Sequence, residues 1–272
     1  MRSWGALIVA MTCAGAIAGA GLAFAVVAAR PLDPVTVEGM EAVPPAPPTS
    51  ADPLPAPRTD DAVGRETTET TSTEPGFLVA DAAVPSVELF AAGGVPLDRS
   101  LPNPTKYELP LVFRVMEDQG RWLDVQLPTR PNGTRAFVRR TDVVLRTVPN
   151  WIRVVLSTRR VTVFKGFTPQ VETVGAVGRA TSVTPTGWFY VDASVLLTDP
   201  TGPYGAGQLS LSGFSEVYTS FAGGEGQIAL HGTYATGSIG QAASNGCVRL
   251  ENGAFLRVQD LAPTGTPVQI VP

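Results

Sequence analysis

Histidine and cysteine are nearly missing from this 272-residue sequence, which holds one His (His231) and two Cys (Cys13 and Cys247). A zinc site would have to recruit several carboxylates around them, and two thiols cannot make a disulfide framework, so no metal is expected and disulfide scaffolds are excluded. Lysine is almost as scarce, 2 residues against 18 Arg. No basic stripe with interleaved aromatics offsets the formal net charge of −4, which argues against nucleic acid as a partner. There is no glycine-rich phosphate-binding loop and hence no sign of a nucleotide cofactor. What remains is a chain with 44% hydrophobic and 16% charged residues, long enough for two domains.

The amino-terminal third differs from the rest. Trp4 to Ala29 is a run of 26 residues without a charged side chain. As a helix it would extend roughly 39 Å, more than the ~30 Å hydrocarbon core of a bilayer. Residues 1–30 therefore read as a transmembrane anchor or a signal peptide, with Val27 and Ala29 giving a small-residue cleavage site before Arg30. Arg2 on the short side leaves the remainder outside the cytoplasm in either case. Residues 31–75 then carry 10 Pro and 9 acidic against 2 basic side chains, a local charge of −7. With no apolar periodicity up to about residue 85, the segment 31–85 reads as a disordered linker. The acidity of the chain belongs to this tether, and everything after Glu74 sums to +1.

After the linker the apolar runs are short. Between residues 86 and 148 they are Val87 to Phe90, Leu109 to Met116, Trp122 to Leu127 and Ala136 to Leu145, punctuated by Gln119-Gly120 and Asn132-Gly133. Asn-Gly between apolar runs is a tight-turn signal, so four or five short strands in a small β unit are expected. Residues 150–272 form a second unit. Val154 to Leu156 and Val161 to Phe164 flank a polar turn, and strands are expected at Val171 to Val177, Trp188 to Val191, Gln208 to Leu211, Gln227 to His231 and Pro267 to Val271. Phe255, Val258 and Ala262 recur at three- and four-residue intervals after Asn252-Gly253, which predicts a helix ending before Pro263. The fold class is mainly β, with one or two short helices.

Cys247 is the only thiol outside the membrane segment. An unpaired cysteine in an oxidising compartment is either buried and inert or reactive. Ser244-Asn245-Gly246-Cys247 sets a glycine directly before the sulfur, letting backbone approach a bound carbonyl and pointing the amides of Gly246 and Cys247 at a developing oxyanion. A cysteine near its free pKa of ~8.5 needs a base to become a nucleophile at neutral pH. His231 is the only imidazole, at the end of a strand whose alternation puts Ile228 and Leu230 on the face opposite to it.

The series His231-Gly232-Thr233, Ser238-Ile239-Gly240 and Ser244-Asn245-Gly246-Cys247-Val248-Arg249-Leu250 resembles the signature of the L,D-transpeptidase catalytic domain, the YkuD-like family. The likeness also takes in Thr184-Pro185-Thr186-Gly187 and the ending from Pro263 to Ile270, so it covers roughly residues 150–271. Gly120 to Val125 followed by Arg135 to Val138 resembles bacterial SH3-like domains, implying a small barrel over 86–148. The family resemblance implies that Cys247 attacks as thiolate, that His231 carries the proton, and that the Gly232 carbonyl orients the imidazole. It further implies that Ser244 assists by hydrogen bonding, that the amides of Asn245, Gly246 and Cys247 line an oxyanion hole, and that Arg249 and Thr233 bind substrate. The implied partners are peptidoglycan stem peptides, reached by a cofactor-free, monomeric enzyme tethered to the membrane outside the cytoplasm. The implied reaction is 3→3 cross-linking through a cysteine thioester, with an L,D-carboxypeptidase using water, or a non-catalytic wall-binding module, as alternatives. Tyr234 to Gly237 departs from the Asn- and Pro-containing stretch common in the family, as Asn245 does from its usual His or Lys.

Overall fold

The structure, a computed structural model, describes residues 76–221 and 224–272. The expected membrane segment and the linker up to residue 75 lie outside the described residues. Among those described, no helix is long and apolar enough to cross a membrane. All of them fall within one compact unit, Thr67–Pro272. The fold is mainly β, as expected, with two large sheets, each with its own hydrophobic core.

The first sheet contains β1 (Phe77–Ala82), β2 (Ser86–Ala91), β3 (Val95–Pro102), β4 (Val112–Gln119), β5 (Trp122–Gln126), β6 (Arg135–Arg139) and β7 (Val143–Val148). Their order is β3-β2-β6-β5-β4-β1-β7. Val87, Leu89, Phe113, Leu123, Val125 and Val138 alternate inward to make its core. The β4–β5 turn is tight as expected: Gly120 has φ +75°, and its amide donates to Asp118 Oδ1 at 2.9 Å.

Three sequence expectations need correction here. The linker does not run to residue 85, because β1 is fully paired between β4 and β7 and buries Val79 and Ala80. The stretch from Ala136 to Leu145 is two strands parted by a polar 3-10 turn at Arg140–Asp142. Asn132-Gly133 is no two-residue hairpin; it lies in the longer loop between β5 and β6, where the Asn132 amide reaches Phe214 of the second sheet.

The second sheet follows without a spacer. It comprises β8 (Asn150–Val155), β9 (Arg160–Lys165), β10 (Thr168–Val174), β12 (Gly187–Leu196), β13 (Gly207–Phe214), β14 (Gln227–Thr233), β16 (Val248–Glu251) and β17 (Pro267–Val271), in the order β10-β9-β8-β17-β12-β13-β14-β16. A small parallel pair, β11 (Val177–Gly178) and β15 (Ala242–Ser244), lies apart from it. The expected strand at Val171 to Val177 therefore breaks at Gly175, whose Cβ, were there one, would meet Arg249 O at 2.9 Å. Helix α1 (Asn252–Leu261) buries Phe255 and Val258 against the core, as its spacing predicts, and stops before Pro263. Ile228, Leu230, Val248 and Leu250 fill that same core, which leaves the alternate residues of β14 and β16 on the opposite face.

Candidate active site

Cys247 and His231 are brought together by a pairing of sequence-distant strands. β14 and β16 run parallel with Leu230 opposite Val248 and His231 opposite Arg249. Cys247, one residue ahead of β16, therefore sits on the outward face diagonal to His231, where side chains one face-repeat apart on adjacent strands are ~7–8 Å apart at Cα and closer at their tips. The Ala229 backbone amide and the Arg249 guanidinium both act on the thiol and favour its ionised form.

The imidazole is held on its other side. His231 is 5% exposed, and its Nδ1 lies 2.6 Å from the Gly232 carbonyl. A carbonyl only accepts, so Nδ1 carries the proton and Nε2 presents its lone pair. The glycine is required for close approach: a Cβ at Gly232 would fall 2.4 Å from Asn252 Oδ1 and 2.8 Å from Ala206 N. Asn252 uses that oxygen to accept from the Ala206 amide at 2.9 Å, tying the segment before β13 against the end of β14. Tyr204 rides on this segment, its ring centroid 4.9 Å from that of His231. Burial raises the Tyr204 phenol, and the charge of Cys247 adds to the rise.

Burial sets the protonation of both reactive groups. It lowers His231 to about 4, the Gly232 carbonyl opposing the drop and Arg249 adding to it. It raises the Cys247 thiol above its ordinary value, against the Ala229 amide and Arg249. Burial thus disfavours both charged forms, the thiolate and the imidazolium.

Ser244 works on the turn. Its Oγ donates to Cys247 O at 2.5 Å and accepts the Gly246 amide at 3.0 Å, closing Ser244 to Cys247 into a ring. Gly246 has φ +124°, a conformation that favours glycine. One expectation is corrected: the Gly246 amide is committed to Ser244 and does not face an oxyanion. The Asn245 carbonyl accepts from buried Ser182 Oγ at 2.7 Å, anchoring the turn from outside. Arg249 lies beside His231 in register and exchanges backbone hydrogen bonds with Ala176 at 2.8 Å. Thr233 is buried, and its hydroxyl accepts the Ala235 amide at 3.1 Å.

Two polar residues carry no sequence signal, Tyr204 beside His231 and Asp192 on β12. Tyr204 stands in a Gly-Pro-Tyr-Gly loop indistinguishable from any surface turn. Asp192 sits at a bulge in β12 and accepts from Gln227 Nε2 at 2.5 Å, while its Oδ1 has no partner. Burial raises it to about 6, against the bond from Gln227. Among the described residues no group of three or more His, Cys, Asp or Glu is placed to hold a metal.

Residues 149–270 match the L,D-transpeptidase catalytic domain family, YkuD. The chain is 37% identical over 95 residues to the putative L,D-transpeptidase YkuD of Bacillus subtilis (strain 168), covering 35% of this chain and 49% of that protein. It is 36% identical over 97 residues to the putative L,D-transpeptidase YkuD of Bacillus licheniformis, covering 36% and 50%. The chain thus spans about half the length of these relatives. Among solved structures, the catalytic domain of the E. faecium L,D-transpeptidase aligns over 45% of this chain and 96% of its own, at 19% identity and a TM-score of 0.34. The sulfur, imidazole and carbonyl described above all lie within residues 149–270, the segment that matches the YkuD L,D-transpeptidase catalytic domain.

Proposed function

We propose that the chain is a peptidoglycan L,D-transpeptidase that makes 3→3 cross-links outside the cytoplasm, held to the membrane by residues 1–30 and acting as a monomer. The placement of Cys247 and His231 on one face of paired strands, with Nε2 freed by the Gly232 carbonyl, carries this reading.

In the first half-reaction the Cys247 sulfur adds to the carbonyl of the third stem residue while its proton passes to His231 Nε2. A thiol raised by burial and an imidazole lowered by it transfer the proton during attack, not before. The amides of Asn245 and Cys247 receive the oxyanion, and Arg249 supplies positive charge to the same region. Collapse breaks the amide bond, and the departing D-alanine amine takes the proton from Nε2, leaving a thioester. In the second half-reaction the amine of a neighbouring stem gives its proton to Nε2 as it attacks, and the sulfur leaves to recover the thiol. No nucleotide is consumed because one amide replaces another. Thr233 and Arg249 border the stem. The unit 86–148, read as SH3-like on its Gly120 to Val125 and Arg135 to Val138 segments, supports the catalytic sheet.

The test is release of D-alanine from a stem tetrapeptide by the full chain, with intact-mass detection of the thioester. Cys247→Ala abolishes both, and His231→Ala lowers the rate by ~10²-fold or more, as loss of a general base does. Wild-type release by either variant sinks the assignment. Adding or omitting an acceptor amine separates cross-linking from hydrolysis by water.

A further inference from the structure

A second functional surface lies where the two sheets meet. Across β4, β5 and β6, Arg114 is opposite Gln126 and Gln126 is opposite Arg135, so the three project from one face. That face meets the start of β12, where Gln126 Nε2 donates to Trp188 O at 2.7 Å. Arg114, Gln126 and Arg135, with Met116, Gly133 and Trp188, line a cleft of about 430 Å³. Ligand pockets run from roughly 300 to 1,000 Å³, so a mono- or disaccharide-sized molecule has room.

The polar groups of the cleft are incompletely matched. Arg135 is paired with Asp124, but among the described residues no carboxylate pairs with Arg114, whose guanidinium lies 4.9 Å from the Trp188 ring centroid. Arg114 Nη1 and Gln126 Oε1 are enclosed and lack hydrogen-bond partners. An enclosed guanidinium without a counter-ion is costly, and a second guanidinium nearby adds repulsion. Burial and Arg135 together lower the Arg114 pKa, consistent with that missing negative charge. A carboxylate or phosphate on Arg114 would supply it, with Arg135, whose Nε and Nη2 are held by Asp124, adding only its remaining Nη1 donor and its charge.

The walls point to what carries the anion. Trp188 is 40% exposed and continues into a run of aromatic rings, with Trp151 at 6.0 Å and Phe164 stacked on Trp151 at 4.6 Å. The C–H face of a pyranose packs on an indole of this kind, while Gln126 offers an acceptor to a hydroxyl. We propose that this cleft binds a saccharide bearing a carboxylate or phosphate, with the anion on Arg114 and Arg135 and the sugar ring on Trp188. The site is separate from the thiol turn, so the proposal holds or fails independently of the chemistry at Cys247.

Calorimetric titration of the full chain tests it, using N-acetylmuramic acid, glucose 6-phosphate, N-acetylglucosamine and N-acetyl-D-alanine. Saturable binding of either acidic sugar is expected, and which one binds identifies the anion as carboxylate or phosphate. Arg114→Met weakens it tenfold or more, with Tm measured alongside because the change also takes the guanidinium off the Trp188 ring. Arg135→Gln weakens it less, and its Tm is measured alongside because the change leaves the buried Asp124 carboxylate without its partner, whereas Cys247→Ala has no effect. The proposal is overturned if neither acidic sugar saturates, if the neutral sugar or N-acetyl-D-alanine binds equally well, or if Arg114→Met and Arg135→Gln bind like wild type.

Discussion

A thiol and an imidazole that both lose water on folding are driven toward their neutral forms, and the consequence reaches beyond catalysis. His231 falls to about 4 in the folded chain from 6.5, so between those values the unfolded chain binds a proton that the folded one refuses. Its contribution to stability is present above pH 6.5 and is lost as pH falls toward 4, by on the order of 3 kcal/mol. Asp192 works in the opposite direction. Raised from 3.8 to about 6, it keeps a proton that the unfolded chain releases, so its contribution falls as pH rises through that window. The two windows overlap and the two slopes largely cancel. Thermal melts from pH 4 to 6.5 should therefore show Asp192→Asn losing more stability on acidification than wild type. His231→Gln should lose less. Parallel profiles for all three proteins would show that neither group is perturbed as described.

At the level of elements, the position of the Cys247 thiol depends on a four-residue turn, which in turn depends on one hydroxyl. Ser244 Oγ satisfies both the Gly246 amide and the Cys247 carbonyl. Ser244→Ala leaves both without that partner, at about 1–3 kcal/mol for each buried group left unmatched. We expect a lower Tm and a lower rate of thioester formation, with Ser244→Thr recovering part of the rate. Unchanged thioester formation in Ser244→Ala would mean that the turn holds its shape without the hydroxyl. This element was legible only in part: the glycine before the thiol marked a special backbone position, but nothing local told that its amide would be held by Ser244. The face of His231 was legible from strand alternation, and α1 from the spacing of Phe255 and Val258. Other elements leave no such trace. β3 is an edge strand with almost every side chain exposed, so it has no apolar period to detect. β1 is six residues with two alanines beside a proline-rich tract, and only pairing on both edges identifies it. The parallel register of β14 and β16, which brings the thiol to the imidazole, is a long-range pairing that no local pattern encodes.

Across the whole molecule, the first sheet is bonded directly to the surroundings of the reactive turn. Arg130, in the loop between β5 and β6, donates to Ser215 O at 2.7 Å and to Tyr218 O and Glu225 O at 2.9 Å each. Two residues on, Asn132 exchanges two 2.8 Å hydrogen bonds with the Phe214 backbone. These five bonds grip both ends of the segment between β13 and β14. Its buried first residue, Ser215, places Oγ 4.0 Å from where a Cβ would stand on Gly246. The segment behind the Cys247 turn is thus positioned by residues more than eighty positions earlier in the chain. A guanidinium shared by three carbonyls cannot be replaced by water without cost, because charged hydrogen bonds contribute about 1.5–3 kcal/mol each. Arg130→Ala should lower Tm, expose residues 215–226 to limited proteolysis, and slow thioester formation through kcat more than KM. Asn132→Ala should do the same more mildly, and Arg130→Lys, which keeps the charge but not the fork, should fall between. If Arg130→Ala opens the segment to protease yet forms thioester at the wild-type rate, the first sheet braces the fold and has no part in positioning the turn.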